Sequence, residues 1–265
     1  MRQLEVNALV PAVLDIARAA GNRVLDIYGT SQVDVRSKED LSPVTEADLA
    51  SHDCLVRGLQ GLGMGWPVVS EEDTASLPHR RADGCYWLLD PLDGTKEFIG
   101  RNGEFTVNIA LIDNGSPMLG VVAAPALGLV YWGAPGVGAY RVSSAGTAAI
   151  RVAPPLEGGR RPLRVVASRS HMDEATQAFI GRLGPVELVQ AGSSLKFCMV
   201  AEGAADLYPR FAPTCEWDTA AAQAVLEAAG GCVVAWDGAP LRYGKPEVLN
   251  ASFIAAASAQ IIGRH

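Results

Sequence analysis

Residues 87–99 read WLLDPLDGTKEFI, and how this stretch is parsed decides how the chain folds. The apolar run through Leu89 reads as a buried strand, expected to stop at Asp90 because Pro91 cannot donate to a sheet ladder and fixes its own φ. The chain must turn there. Asp90 and Asp93 then flank the turn, so both carboxylates and the Leu92 carbonyl between them can point into one small volume. An all-oxygen pocket of that kind suits magnesium. Gly94 lets the backbone approach a ligand closely, and Thr95 opens a short helix whose free amides face an anion. The same letters also spell an ordinary turn, since Asp, Pro and Gly are common turn residues and Asp before a helix is an ordinary N-cap. Both readings stand until other carboxylates join.

The chain around this stretch is that of a folded α/β protein. At 265 residues it can bury a substantial core as one large domain or two modest ones. Hydrophobic residues make up 49%, yet polar residues break every apolar run short of the about 20 needed to span a bilayer, so no integral membrane segment is expected. The N-terminal 29 residues carry Glu5 and Asp15 inside an apolar pattern and read as an amphipathic helix, not a secretory leader. Val6, Leu9, Val10, Val13, Leu14, Ala17, Ala20, Val24 and Leu25 keep a helical period, Gly29 ends it, and Pro11 either kinks it or marks its start. Five scattered cysteines without CxxC spacing argue against a zinc cluster or a disulfide framework and fit a reducing cytoplasm. With 22 Lys and Arg against 29 Asp and Glu, the net charge of −7 disfavours binding to a nucleic acid polymer. A phosphorylated ligand would need bound cations, a local basic pocket, or both.

Residues 33–36 read as a short strand. A second helix is expected after Thr45, an N-cap with Asp48 three residues on, and residues 66–69 read as a strand ending in Ser70, Glu71, Glu72 and Asp73. From 105 to 142 the segments FTVNIALID, MLGVVAAP, LGLVYWGA and GAYRVS, separated by glycine turns, predict an antiparallel meander. The stretch APPLEGGRR, 153–161, is the best linker, which divides the chain into an α+β domain, 1–155, and an α/β domain, 156–265. Beyond it, LRVVASRS, VELVQAG, residues 206–208 and residues 232–236 read as strands. Helices are expected over 173–183, within SSLKFCMVAEG, and over 217–229.

Four further acidic sites lie at or near element ends: Asp48, Glu71 with its neighbour Glu72, and Asp218. Each has a mundane reading as a cap, a dipole partner or a solvated loop. Clustered, they would repel by about 4 kcal/mol per pair at about 4 Å and an effective dielectric near 20, so clustering would require cations.

The segments PVTEAD, VVSEED, DPLDGTKEF and EWDTAAAQAVLEAAGG, in this order, resemble the magnesium-dependent, lithium-sensitive phosphatases of the inositol monophosphatase superfamily. Within it, VASRSH, GSSLKFCMVAEG and LYPRF are similar to the bacterial CysQ-type 3'(2'),5'-bisphosphate nucleotidases. The resemblance implies a layered αβαβα sugar-phosphatase fold with the active site between the halves. It implies two or three Mg2+ per site, with Glu71, Asp90, Asp93, Asp218 and the Leu92 carbonyl as ligands. Asp48 and Thr95 fall where the family positions and activates the attacking water, and no covalent phosphoenzyme is needed. It places Glu71, Asp93, Gly94, Thr95, His171, Ser193, Ser194, Lys196, Tyr208, Arg210 and Asp218 against the substrate, with Lys196 and Arg210 on a second phosphate. Ser168 and Arg169 lie near them at a strand end. The implied substrate is a small phosphorylated nucleotide, adenosine 3',5'-bisphosphate or its sulfated form, cleared as a by-product of sulfate activation. A cytoplasmic protein is expected, with peripheral association at the inner membrane and a homodimer both left open. The alternatives are an inositol or sugar phosphatase with the same metal machinery, and a nonenzymatic nucleotide-binding protein.

Overall fold

The computed structural model describes residues 3–30, 35–37, 43–154, 161–169 and 172–262. The first helix, α1 (Gln3–Tyr28), buries the expected stripe, with Val13, Ala17, Ala20 and Val24 fully enclosed, and Pro11 lies inside it instead of starting it. Two short antiparallel strands, β1 (Val35–Ser37) and β2 (Pro43–Thr45), lead into α2 (Glu46–Gln60). Thr45 caps that helix: its hydroxyl accepts from the Ala47 amide at 3.1 Å, and the Asp48 carboxylate takes the Thr45 amide at 2.7 Å. The expected capping box is complete.

A seven-stranded sheet follows in chain order. It comprises β3 (Val68–Ser70), β4 (Cys85–Asp93), β5 (Thr106–Asp113), β6 (Ser116–Ala124), β7 (Leu129–Ala134), β8 (Gly138–Ser143) and β9 (Gly146–Ile150), antiparallel except for the β3–β4 pair. The predicted meander is present. The extra strand β9, GTAAI, was not anticipated, because its exposed small residues carry no alternating apolar signal.

The sequence reading placed the end of the central strand at Asp90; the structure carries β4 through Pro91 to Asp93. A bulge makes this tolerable. Asp90 pairs with Asn108 and Asp93 with Thr106, so β4 holds one extra residue there and Pro91 needs no ladder N–H. The Leu92 amide turns to Asp90 Oδ1 at 3.1 Å, and Ser51 of α2 donates to the Pro91 carbonyl at 2.7 Å. The turn moves to Gly94, whose φ of 91° suits glycine, and α3 (Thr95–Ile99) begins beyond it.

A five-stranded sheet uses β10 (Leu163–Ser168), then, past α4 (Glu174–Arg182), β11 (Val186–Ala191), and past α5 (Leu195–Ala201), β12 (Leu207–Arg210). Next come α6 (Glu216–Ala228), β13 (Cys232–Ala235), β14 (Phe253–Ala256) and α7 (Ala259–Ile262), with strand order β11-β10-β12-β14-β13. Strand β14 inserts between β12 and β13, a non-local pairing that no sequence period announces. Arg210 is the last residue of β12 and does not follow it, as had been expected. Right-handed crossovers to β11 on one side and β12 on the other put α4 and α5 on opposite faces. The layers are therefore α1 and α2, the large sheet, α5 and α6, the small sheet, and α4: the αβαβα architecture. Most of the expected linker lies outside the described residues.

One buried acid serves this frame alone. Asp206, just before β12, is gripped by Arg161 at 2.5 and 2.8 Å and by Arg164 at 2.8 Å. Burial raises its pKa, but these hydrogen bonds outweigh burial and hold the carboxyl well below the usual range.

Helix α6 is alanine-rich where it meets the large sheet, and the strands beneath it present Gly120 and Gly133. A Cβ on Gly120 would stand 1.9 Å from the Ala221 carbonyl oxygen, and one on Gly133 2.8 Å from the Val225 Cα. The helix backbone sits directly on the sheet, and this seating carries Asp218, near its N-terminus, toward the bulge of β4. Gly120→Ala should cost about 3 kcal/mol or more by overpacking, a fall of roughly 10 °C in the thermal midpoint. Gly181→Ala, with open space around it late in α4, should be neutral or slightly stabilising. Equal midpoints for the two variants in thermal unfolding would contradict this packing.

Candidate active site

Four elements deliver carboxylates and hydroxyls to one cleft, and a fifth stands behind it. Strand β3 is extended by the Glu71 amide bonding to the Leu89 carbonyl at 3.2 Å, which sets Glu71 beside Asp90 on the neighbouring strand. The β4 bulge supplies Asp90 and Asp93, α6 supplies Asp218, α3 supplies Thr95, and α2 sets Asp48 behind Thr95. Helix α3 is only five residues long, so packing holds it in place. The Phe98 ring lies 5.2 Å from both Tyr28 and Phe105.

Glu71, Asp90 and Asp218 each present an oxygen within 4.8 Å of the others, and Asp93 lines the same cleft. Burial first, and then the neighbouring acids, push the Asp90 carboxyl well above its ordinary range. Asp218 is pushed up in the same order. Burial raises Asp93 too, against the opposing pull of Lys196 and a hydrogen bond from Ser194. The protein has assembled negative charge faster than its own cations offset it. Hard oxygen donors at this spacing fit a divalent cation such as Mg2+, so the residues present suit the metal that the motifs imply.

Asp48 divides its two oxygens. The Thr45 amide and hydroxyl both lie 2.7 Å from Oδ2, while Thr95 Oγ1 lies 3.4 Å from Oδ1 and equally far from the Leu92 carbonyl. Asp218 behaves alike: its Oδ2 accepts from the Cys215 amide at 2.7 Å in the capping box of α6. Cap and site are one residue in both places.

The same cleft also holds two cations, Lys196 and Arg210. Lys196 is 5% exposed, donates to the Ser193 carbonyl at 2.5 Å, and sits 5.5 Å over the Tyr208 ring. Burial lowers its pKa to about 8, and Asp93 opposes the fall. The Arg210 guanidinium binds the carbonyls of Ala212 and Pro213 at 3.0 and 3.1 Å and faces the cleft with Ser168, Ser193 and Tyr208. Gly94 and Leu92 line it too. Three residues lie elsewhere. Asp48, 1% exposed, stands behind Thr95 and does not line the cleft. Ser194 does not line the cleft, and Arg169 is exposed and grips Glu104 at 2.9 and 3.0 Å. His171 lies outside the described residues. Glu72 is near enough to raise Asp90 but is not in the lining.

The sequence reading missed Glu97, Thr214 and Thr219 in the lining and Asn108 behind it. Asn108 was legible in principle, as a polar residue pointing inward within the apolar strand FTVNIALID. Glu97 was disguised by the charged pair KE at the start of a short helix.

The model of the inositol monophosphatase family matches residues 6–264. This chain belongs to the inositol monophosphatase family. Curated members similar to it include the 3'(2'),5'-bisphosphate nucleotidases CysQ of Shigella flexneri and Escherichia coli K12, each 49% identical over 92% of this chain and 98% of the relative. The crystal structure of CysQ from Bacteroides thetaiotaomicron, a bacterial member of the family, superposes with a TM-score of 0.83 at 42% identity, covering 94% of this chain and 97% of that one. An inositol monophosphatase from Anabaena, 24% identical with a TM-score of 0.75 over 98% of this chain and 94% of that one, shares the fold. No helix among the described residues is long and apolar enough to cross a membrane.

The charge imbalance predicts how the protein responds to metal removal. Adding Mg2+ at about 100 times its dissociation constant to chelator-stripped protein should stabilise it by about 2.7 kcal/mol, or several degrees in thermal midpoint. Stripped Asp90→Asn should melt no lower than stripped wild type, having lost a repelling charge, and should lose most of the Mg2+ shift. An unchanged midpoint on stripping would contradict the reading.

Proposed function

We propose that this protein is a Mg2+-dependent phosphatase that hydrolyses the 3'-phosphate of adenosine 3',5'-bisphosphate, and of its sulfated form, to leave the 5'-nucleotide and inorganic phosphate. The observation that carries this reading is the mixed charge of the cleft. Acidic groups that suit metal share one cleft with a buried lysine and an arginine, beside which a second phosphate can lie. The similarity to curated bisphosphate nucleotidases over nearly the whole chain supports it. In this reading residues 1–155 supply Asp48, Glu71, Asp90, Asp93 and Thr95, and residues 156–265 supply Asp218 and the nucleotide contacts.

Glu71, Asp90, Asp93, Asp218 and the Leu92 carbonyl would hold two or three ions. Bound there, a divalent cation acidifies water and offsets charge on phosphoryl oxygens. The chain's own residues do the rest. Thr95 Oγ1 accepts a proton from the attacking water as its own passes to Asp48 Oδ1, whose partner oxygen is already pinned by the Thr45 cap. The Gly94 and Thr95 amides, exposed by the turn at φ 91°, approach the transferred phosphoryl group. Lys196 and Arg210 hold the 5'-phosphate, with Ser193, Tyr208 and Ser168 at the end of β10 lining the same cleft.

An inositol or sugar phosphatase would use the same acidic groups but has no need of the two cations. Because both Lys196 and Arg210 line the cleft, the nucleotide reading is the stronger. A protein that only binds nucleotide is disfavoured by the intact set Glu71, Asp90, Asp93, Thr95 and Asp218.

Phosphate release should be measured from adenosine 3',5'-bisphosphate, its sulfated form, 3'-AMP, inositol monophosphate and fructose bisphosphate, with and without Mg2+. The bisphosphate should be preferred over inositol monophosphate. Lys196→Met should lower kcat/KM for the bisphosphate by about 10- to 100-fold, the worth of a charged hydrogen bond, with a smaller effect on 3'-AMP, which lacks the second phosphate. Preference for inositol monophosphate, or equal losses on both nucleotides, would refute the assignment.

A further inference from the structure

The residues Ser193 and Ser194 are adjacent in sequence and divided in space. Ser193 has a φ of 46°, in the left-handed region, and lines the cleft, while Ser194 turns beneath it and is 2% exposed. There its hydroxyl meets three elements. Oγ lies 2.8 Å from Asp93 Oδ2 at the end of β4 and 2.8 Å from the Asp218 main-chain oxygen in α6. It also accepts from Asn108 Nδ2 of β5 at 2.9 Å. A hydroxyl has one proton and two lone pairs. Having accepted from Asn108, Ser194 donates its one proton to Asp93 or to the Asp218 carbonyl, and it sits at bonding distance from both.

We propose that Ser194 is a positioning residue of the metal centre and not a substrate contact. With Asn108 and Thr106 it fixes the rotation of the Asp93 carboxylate and packs between the β4 bulge and α6. This rests on the reading of Asp93 and Asp218 as metal ligands. Three donor groups surround the one oxygen: Ser194 Oγ at 2.8 Å, which bonds it when its proton turns that way, and Thr106 Oγ1 and Asn108 Nδ2 at 3.4 Å each. Fixing Oδ2 sets where Oδ1 stands, and a ligand held in orientation binds its ion without first losing rotational freedom. Outer partners of this kind commonly carry 10- to 100-fold in metal affinity. With its one proton the same hydroxyl bonds either Asp93 or the Asp218 carbonyl, and it lies 2.8 Å from each, so it packs between the two segments that carry these residues.

The test separates metal binding from substrate binding. Mg2+ and Mn2+ titrations of the chelator-stripped full chain, followed by calorimetry and by the shift in thermal midpoint, give ion affinity without turnover. Steady-state kinetics at saturating Mg2+ give KM for adenosine 3',5'-bisphosphate. Ser194→Ala should weaken ion binding about tenfold and leave that KM within about twofold of wild type. Thr106→Val, nearly isosteric and suited to a strand, should weaken ion binding less, by about threefold, with the same unchanged KM. It carries the test alone if Ser194→Ala does not fold. A raised KM with unchanged ion affinity would make Ser194 a substrate contact, and unchanged values of both would leave it a packing residue; either overturns the proposal. Failure of the wild-type chain to bind either ion would instead overturn the metal reading on which it rests.

Discussion

Carboxylates that repel one another are held in one cleft, and much of the architecture reads as the means of holding them. Burial and neighbouring acids drive Asp90 and Asp218 well above their ordinary protonation range, a repulsion that proton uptake or a bound cation relieves. The constraint explains local features that otherwise look costly. A strand passes through proline by bulging, so that Asp90 and Asp93 fall on the same side of the ladder's end. A helix backbone rests on strand glycines, so that Asp218 reaches them from a distant segment.

The N-termini of α2 and α6 follow one design. In each, the aspartate three residues beyond the cap closes a capping box with one oxygen and turns toward the cleft with the rest of its carboxylate. Helix capping thereby fixes rotamers before any ligand arrives, which is the preorganisation that positioned chemistry needs. A second buried carboxylate at a helix start shows the contrast. Glu216 is fully enclosed and bonded by Arg80 at 3.0 Å and Lys245 at 2.5 Å, so its charge is already matched. Asp90 and Asp218, two residues from Glu216, have no such counter-charge within hydrogen-bonding reach among the described residues.

The site was more legible in the sequence than the fold that builds it. DPLDGT alone read equally as a site or a turn, and it was the resemblance of DPLDGT and WDTAA to the family that singled out their residues, while Thr45 with Asp48 announces its own cap. What escaped depends on contacts far apart in the chain. Strand β14 is defined by insertion between two others, the passage of β4 through Pro91 depends on how β5 pairs with it, and the division of Ser193 from Ser194 follows from one backbone angle. Glu97 and Asn108 reached the site through tertiary packing, which residue type alone does not reveal. His171 and most of the linker at 153–161 fall outside the described residues.

The most direct test of the central claim is an anomalous difference map from crystals of the protein grown or soaked in Mn2+. The account predicts peaks at the end of β4 with carboxylate oxygens of Glu71, Asp90, Asp93 and Asp218 at about 2.0–2.3 Å, and with those side chains where this structure already places them. No peak there, or ions bound only elsewhere on the surface, would contradict it.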